Sequence, residues 1–235
     1  MNSRTNTRLA FLGVLLAFGG SSAALAQELV TNGGFESGFS GWTRLDQLGS
    51  DGTFQQQSGA ASPINAFGVA APPQGLNAAM TDSTGPGSHV LYQDILIPAL
   101  VPGATLKFSI YISNGATGFF TPNSLDFATP ALNQQARVDI LAGGTDPFST
   151  AAGDVLFNAF QSAPNGPLVS GYNTFSFDVS ALLAAHAGQP IRLRFAEVDN
   201  VNFFNFGVDA VSLTIPAPSA LALLAIGAVT ARRRR

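Results

Sequence analysis

Few residues in this chain have both the type and the spacing of reacting groups. Glu197 and Asp199 stand two apart, which puts both carboxylates on one face of a strand. Such a pair can serve as acid and base in glycoside cleavage, although paired carboxylates are more commonly solvated or bound to an ion. His89 and His186 are the only histidines, and neither stands in a metal-ligating spacing such as His-Glu-x-x-His. No zinc site is expected from them. The sequence has no Gly-x-Ser-x-Gly elbow, and Gly85-Pro86-Gly87-Ser88 lacks the strand-to-helix setting that a nucleophile or phosphate loop needs. The expectation is a protein that is not an enzyme.

Binding chemistry has better candidates. A flat ring can stack on the apolar face of a pyranose while polar neighbours take its hydroxyls. Tyr111 is the first candidate, because strand alternation turns it away from the core. Phe119 and Phe120 follow in a loop rich in Gly, Thr, Pro and Asn, and Phe203 and Phe204 lie near the last strand. With 19 phenylalanines in the chain, most must be core, and Trp42 reads as a packing residue. Asp209 stands in register with Val211, Leu213 and Ile215, so alternation directs its carboxylate to the buried face. A buried carboxylate is costly unless it is satisfied; it must meet a cation, an arginine or several backbone donors.

Composition limits the partners. Hydrophobic residues make up 46% of the 235 and charged residues 11%, a balance suited to one packed domain with processing segments rather than to a disordered acidic chain. Six of the eleven basic residues lie at the two ends: Arg4, Arg8 and Arg232 to Arg235. Between Gln27 and Ile215, five basic residues face all fourteen acidic ones, a balance of −9. A body of that sign repels nucleic acid and attracts divalent cations. There is no cysteine, so stability must come from packing, helped by a bound ion if one is present.

The ends read as addresses. Arg4 and Arg8 precede the apolar run Leu9 to Phe18, and small residues close the segment at Ala24-Leu25-Ala26. This is the order of a secretory signal peptide over 1–26, cleaved before Gln27. At the other end, Pro216-Ala217-Pro218 is followed by Ala220 to Ala231 without a charge, then by Arg232, Arg233, Arg234 and Arg235. An apolar stretch closed by arginines stops in a membrane with its basic end in the cytoplasm. The layout of 216–235 resembles the PEP-CTERM sorting signals of Gram-negative-type bacteria, with Pro-Ala-Pro standing where those signals carry Pro-Glu-Pro. The resemblance implies an exosortase-type processing enzyme, transient membrane anchoring through the tail, and a final place at the cell surface or in the extracellular matrix.

The body, 27–215, reads as all-β. Leu106, Phe108, Ile110 and Ile112 share one face, and Lys107, Ser109, Tyr111 and Ser113 the other. Phe175, Phe177 and Val179 repeat the alternation, as do Ile191, Leu193 and Phe195, and more briefly Val138 and Ile140. Period two over short runs marks half-buried antiparallel strands. The one helical stretch within the body is Ala181 to about Ala187, with Ser180 placed to cap it and Gly188 to end it. These elements predict a two-sheet antiparallel β-sandwich, or jelly roll, flanked by a signal helix and an apolar sorting helix.

The opening run Leu29 to Glu36 followed by Gly41-Trp42, and the closing run Gly207 to Leu213 with Phe177 to Ser180 before it, resemble the first and last strands of galactose-binding-like jelly rolls. That fold is shared by many carbohydrate-binding modules. In that family an aspartate of the last strand and a glutamate of the first help hold a structural calcium. The resemblance therefore implies Glu36 and Asp209 as oxygen ligands, with carbonyls near Asn32 to Phe35 completing the shell. A backbone-capped carboxylate is the other reading of Asp209, and an arginine salt bridge the third. Two functions stay open: an exported structural or adhesive surface protein, and a module that binds extracellular polysaccharide.

Overall fold

Alternation sets the framework, and long-range pairing decides what each face meets. A computed structural model describes residues 26–81 and 85–216. Residues 1–25 and 217–235 lie outside the described residues, and with them nearly all of the expected signal peptide (1–26) and sorting tail (216–235) and the helices expected there.

Two antiparallel sheets form. The first has the order β3 (Gln55–Ser58), β4 (Asn77–Thr81), β11 (Phe204–Ile215), β6 (Thr105–Asn114) and β9 (Val169–Asp178), with β1 (Gln27–Glu28) paired to the end of β11. The second has the order β2 (Thr43–Asp46), β5 (Gly87–Leu96), β10 (Pro190–Asp199), β7 (Gln134–Ala142) and β8 (Val155–Gln161). From β4 to β7 and again from β8 to β11, each strand lies in the sheet opposite its predecessor. The result is the expected all-β, two-sheet antiparallel sandwich.

The inner faces hold the predicted core. Leu106, Phe108 and Ile110 of β6 meet Ile191, Leu193 and Phe195 of β10, joined by Val138 and Ile140 of β7 and by Phe204, Phe206 and Val208 of β11. Phe108 stacks on Phe175 at 5.6 Å and meets Phe195 edge-on at 5.7 Å. Trp42 lies between Phe35 and Phe195, with centroids at 5.3 and 5.9 Å, and its Nε1 donates to the Asn32 carbonyl. Burying one such side chain is worth about 1.5–3 kcal/mol, so the facing rows dominate the cohesion of the fold.

Two local expectations are corrected. Leu29 to Glu36 is not a strand: after β1 the chain turns, with Asn32 and Phe35 at φ 52° and 53°. The helix α1 spans Ser180–Ala185, with Val179 at its N-cap, so Ser180 lies inside the first turn. The Ser180 N–H is instead taken by Asp178 Oδ1 at 2.9 Å, which holds the Asp178 carboxyl below the usual carboxylate range, together with the bond from the Ser180 hydroxyl. Gly188 does follow the helix with φ +74°.

Loops cover the outer faces. On the second sheet, Val90, Ala196 and Val198 pack with Leu125, Phe127 and Phe148. Arg194, fully buried, donates to the carbonyls of Pro147 and Ser149, both at 2.7 Å, and to Asp139 Oδ2. Asp139 also accepts from Arg137 at 3.0 and 3.2 Å and from Asn158 at 2.7 Å. Burial alone would raise the Asp139 carboxyl, but the Arg137 hydrogen bonds and the charges of Arg194 and Arg137 outweigh it and hold it below the usual range. Removing this carboxylate leaves two covered guanidiniums without a counter-charge. Asp139→Ala should therefore lower the unfolding free energy in urea by about 3–5 kcal/mol; a loss under about 1 kcal/mol would mark the cluster as solvent-screened.

Candidate functional site

Covering segments change the fate of the aromatic candidates. Tyr111 does turn away from the inter-sheet core, but it enters a second cluster with Val69, Met80 and Tyr172 and is 5% exposed. The segment that covers it is tied down by Gln57, whose Nε2 donates to the carbonyls of Gly59 and Ala70 and whose Oε1 accepts from Tyr172 Oη at 2.7 Å. Phe119 is 3% exposed and packs on the fully buried Phe204 at 5.6 Å. Burial thus removes Tyr111, Phe119 and Phe204 as open stacking platforms. Phe120 is half-buried, with its backbone bridged to Gln134. Phe203, also half-buried, meets the exposed Phe67 edge-on at 5.3 Å.

Concave sites open on the surface of the described residues. A cleft of about 270 Å³ enters the sandwich beside β8 and β9, with Ile112, Phe119, Phe160 and Phe175 as its floor and Gln161 and Asn173 among its polar groups. Phe160 and Phe175, half-buried, cross there at 5.3 Å. A larger polar groove of about 510 Å³ runs between Gln47, Asn123, Asp126, Ser149 and Thr150.

Asp209 is buried as expected, but on the other face. β11 carries an irregularity between Asp209 and Ser212, with Ala210 at φ 52°. The extra residue shifts the phase, so Val211 and Leu213 enter the core while Asp209, paired with Ser109, takes the outer face shared with Tyr111. There its Oδ2 accepts from Gln74 N at 2.9 Å and its Oδ1 from Ala210 N at 2.6 Å. Burial pushes the carboxyl up to about 6, with these two donors opposing the rise and the charge of Glu36 adding to it. Glu36 reaches the same segment: its Oε1 accepts from Asn77 N at 2.9 Å and Leu76 N at 2.8 Å, and its Oε2 from Asn77 Nδ2 at 3.1 Å. The Asn77 and Leu76 amides hold its carboxyl below the usual range. Gly75, at φ +64°, leaves the space that Glu36 occupies, where any Cβ would collide with its carboxylate.

A second polar group lies inside the sandwich, built on Glu197 and Asp199 rather than on Asp209. Glu197 and Asp199 continue the inward row Ile191, Leu193, Phe195 of β10 and are 0% and 2% exposed, so neither is a solvated carboxylate. Glu197 is paired with His89 of β5 and Asp199 with Gly87. His89, Glu197 and Asp199 each bring a ligand atom within 4.8 Å of the others, and this buried group can hold a metal. His89 was missed because its partners come from cross-strand register, while motif spacings see only neighbours in the chain. The parity of Glu197 and Asp199 with Phe195 was the readable signal.

No protein-family model matches the chain, and no curated protein matches it. Among solved structures, the sandwich is similar to TmCBM61 in complex with β-1,4-galactotriose, at 14% identity and TM-score 0.47, covering 80% of this chain and 97% of that one. It is also similar to an apo cyclase from Fischerella sp., at 20% identity and TM-score 0.47, covering 84% and 100%. A third similarity is to the K1 cleaved adhesin domain of Lys-gingipain from Porphyromonas gingivalis W83, at 14% identity and TM-score 0.44, covering 83% and 98%.

The raised Asp209 carboxyl makes stability depend on pH. Between about 4 and about 6 the folded chain keeps a proton that the unfolded chain has released, so in metal-free buffer this contribution is present at low pH and is lost as pH rises through about 6. Urea midpoints should fall over that window relative to Asp209→Asn; parallel profiles for the two proteins would contradict the assignment.

Proposed function

We propose that this chain is an exported, non-enzymatic surface or matrix protein with a structural or adhesive role. Residues 1–26 hand it to the export machinery, and the tail 216–235 is handled by an exosortase-type enzyme after transient membrane anchoring. The observation that carries the reading is how the sandwich uses its ionisable groups. Asp139 is held by Arg137 and Arg194, and Glu36 and Asp209 by backbone amides. The edge cleft, by contrast, presents phenylalanines with amides and hydroxyls. That composition supports adhesion or binding more than proton transfer.

Calcium fits the same reading. Glu36 and Asp209 offer carboxylate oxygens to one segment, Gln74 to Asn77, and an acidic body concentrates divalent cations around it. Calcium should flatten the pH dependence of the wild type and leave that of Asp209→Asn unchanged. The test of the main proposal is mass spectrometry of the native protein from fractionated cells. A mature chain that begins at Gln27, lacks the arginine cluster and is found at the surface is expected; a full-length cytoplasmic chain would overturn the proposal.

A polysaccharide-binding module is the second reading, favoured by the crossed pair Phe160 and Phe175 beside Gln161 and Asn173. An apolar floor with amides at its margin suits one sugar ring and its hydroxyls. On a glycan array the protein should then bind a defined polysaccharide, and Phe160→Ala should weaken that binding at least tenfold. Absence of binding by the wild type would leave the structural role.

A further inference from the structure

We propose that His89, Glu197 and Asp199 form a site for a borderline first-row divalent cation such as zinc(II), inside the sandwich, with Asp46 as the positioning residue. The proximity of the three ligand atoms within 4.8 Å is the first observation. The second is the setting of the imidazole. His89 Nδ1 lies 2.7 Å from Asp46 Oδ1, an acceptor that favours the tautomer with the proton on Nδ1 and leaves Nε2 as the ligand atom. Nε2 is buried, and among the described residues it has no hydrogen-bond partner. Carboxylate, imidazole and metal in line is the arrangement that fixes the tautomer of a ligating histidine and raises its basicity.

Strand geometry assembles the group. Asp46 of β2 and Glu197 of β10 are the two register partners of His89 on β5, the strand between them, so one imidazole stands between an orienting and a ligating carboxylate. Gly87, two residues earlier on the same face, lies beneath the ring, where any Cβ would collide with Nε2. The donor set selects the ion: calcium takes oxygen ligands, whereas an imidazole nitrogen suits zinc and its neighbours. Two carboxylates and a neutral imidazole balance a charge of +2 in a buried setting. Tetrahedral binding draws ligand atoms to about 3.3 Å of one another, a contraction that rotamer shifts at Glu197 and Asp199 can supply. The site is distinct from Glu36 and Asp209, which lie on the outer side of the other sheet.

The test uses the untagged full-length chain, stripped of metal and titrated with zinc(II), cobalt(II) and calcium chloride. One equivalent of zinc should bind, raising Tm by about 5–10 °C at a hundredfold excess over Kd, with calcium unable to replace it at equal concentration. His89→Gln and Glu197→Gln should each weaken binding at least a hundredfold, and Asp46→Asn ten- to a hundredfold. His186→Gln and the double variant Glu36→Gln, Asp209→Asn should bind as the wild type does. X-ray absorption of the wild-type zinc complex should show one nitrogen with oxygen ligands, a readout that holds even where a variant fails to fold. An all-oxygen shell, zinc affinity unchanged in folded His89→Gln, or no zinc bound by the wild type would overturn the proposal.

Discussion

The contact between the bulge of β11 and the opening turn fixes much of the rest. Val211 N donates to the Gly33 carbonyl at 2.9 Å, and the Val211 carbonyl lies so close over Gly33 that no Cβ fits there. Ala210 holds φ 52° to make this possible, an expensive conformation for a residue with a side chain. One inserted residue then serves both faces of the strand. It returns Val211, Leu213 and Ile215 to the core and leaves Asp209 outside, against the segment that Glu36 also reaches. With the phase unbroken, Asp209 would point between the sheets and Glu36 would have no acidic neighbour.

Charge is used inside this molecule, which has no cysteine and so no disulfide to brace it. Four of the five basic residues of the body have partners within the fold: the exposed Arg44 on the Phe54 carbonyl, Arg137 and Arg194 on the buried Asp139, and Arg192 on the exposed Asp94 and against the Tyr92 ring. What remains outward is mostly acidic or neutral. Arg137, Arg192 and Arg194 are buried, so three of the five basic residues of the body are withdrawn from solvent and the acidic residues set the character of its surface.

The strands of the core were legible because alternation is local: Leu106 to Ile112 and Ile191 to Phe195 both show period two and both face inward. Legibility failed where a distant segment or a one-residue irregularity intervened. Tyr111 has the parity of an exposed residue, and only the segment bearing Val69 and Ala70 makes it buried. Asp209 has the parity of the core, and only the bulge reverses it. His89 acquires meaning through its register with Glu197, a relation that exists only once β5 and β10 have paired. The same dependence explains Leu29 to Glu36, whose resemblance to the first strand of a jelly roll suggested a strand but whose residues pack as turns around Trp42 and Val211.

Sheet crossing governs when the fold can be completed. The first described strand pairs with the last, Gln27 with Ile215, and β5 waits for β10 as its central neighbour. Nearly every pairing closes a long stretch of chain, which places folding in the slow, milliseconds-to-seconds range typical of non-local β topologies. A ribosome delivering this polypeptide from its N-terminus releases an unfinished half-sandwich until residues 190–215 emerge. Such delayed maturation keeps the chain unfolded until its last strands are made, and with no cysteine in the sequence the native state then assembles without an oxidant.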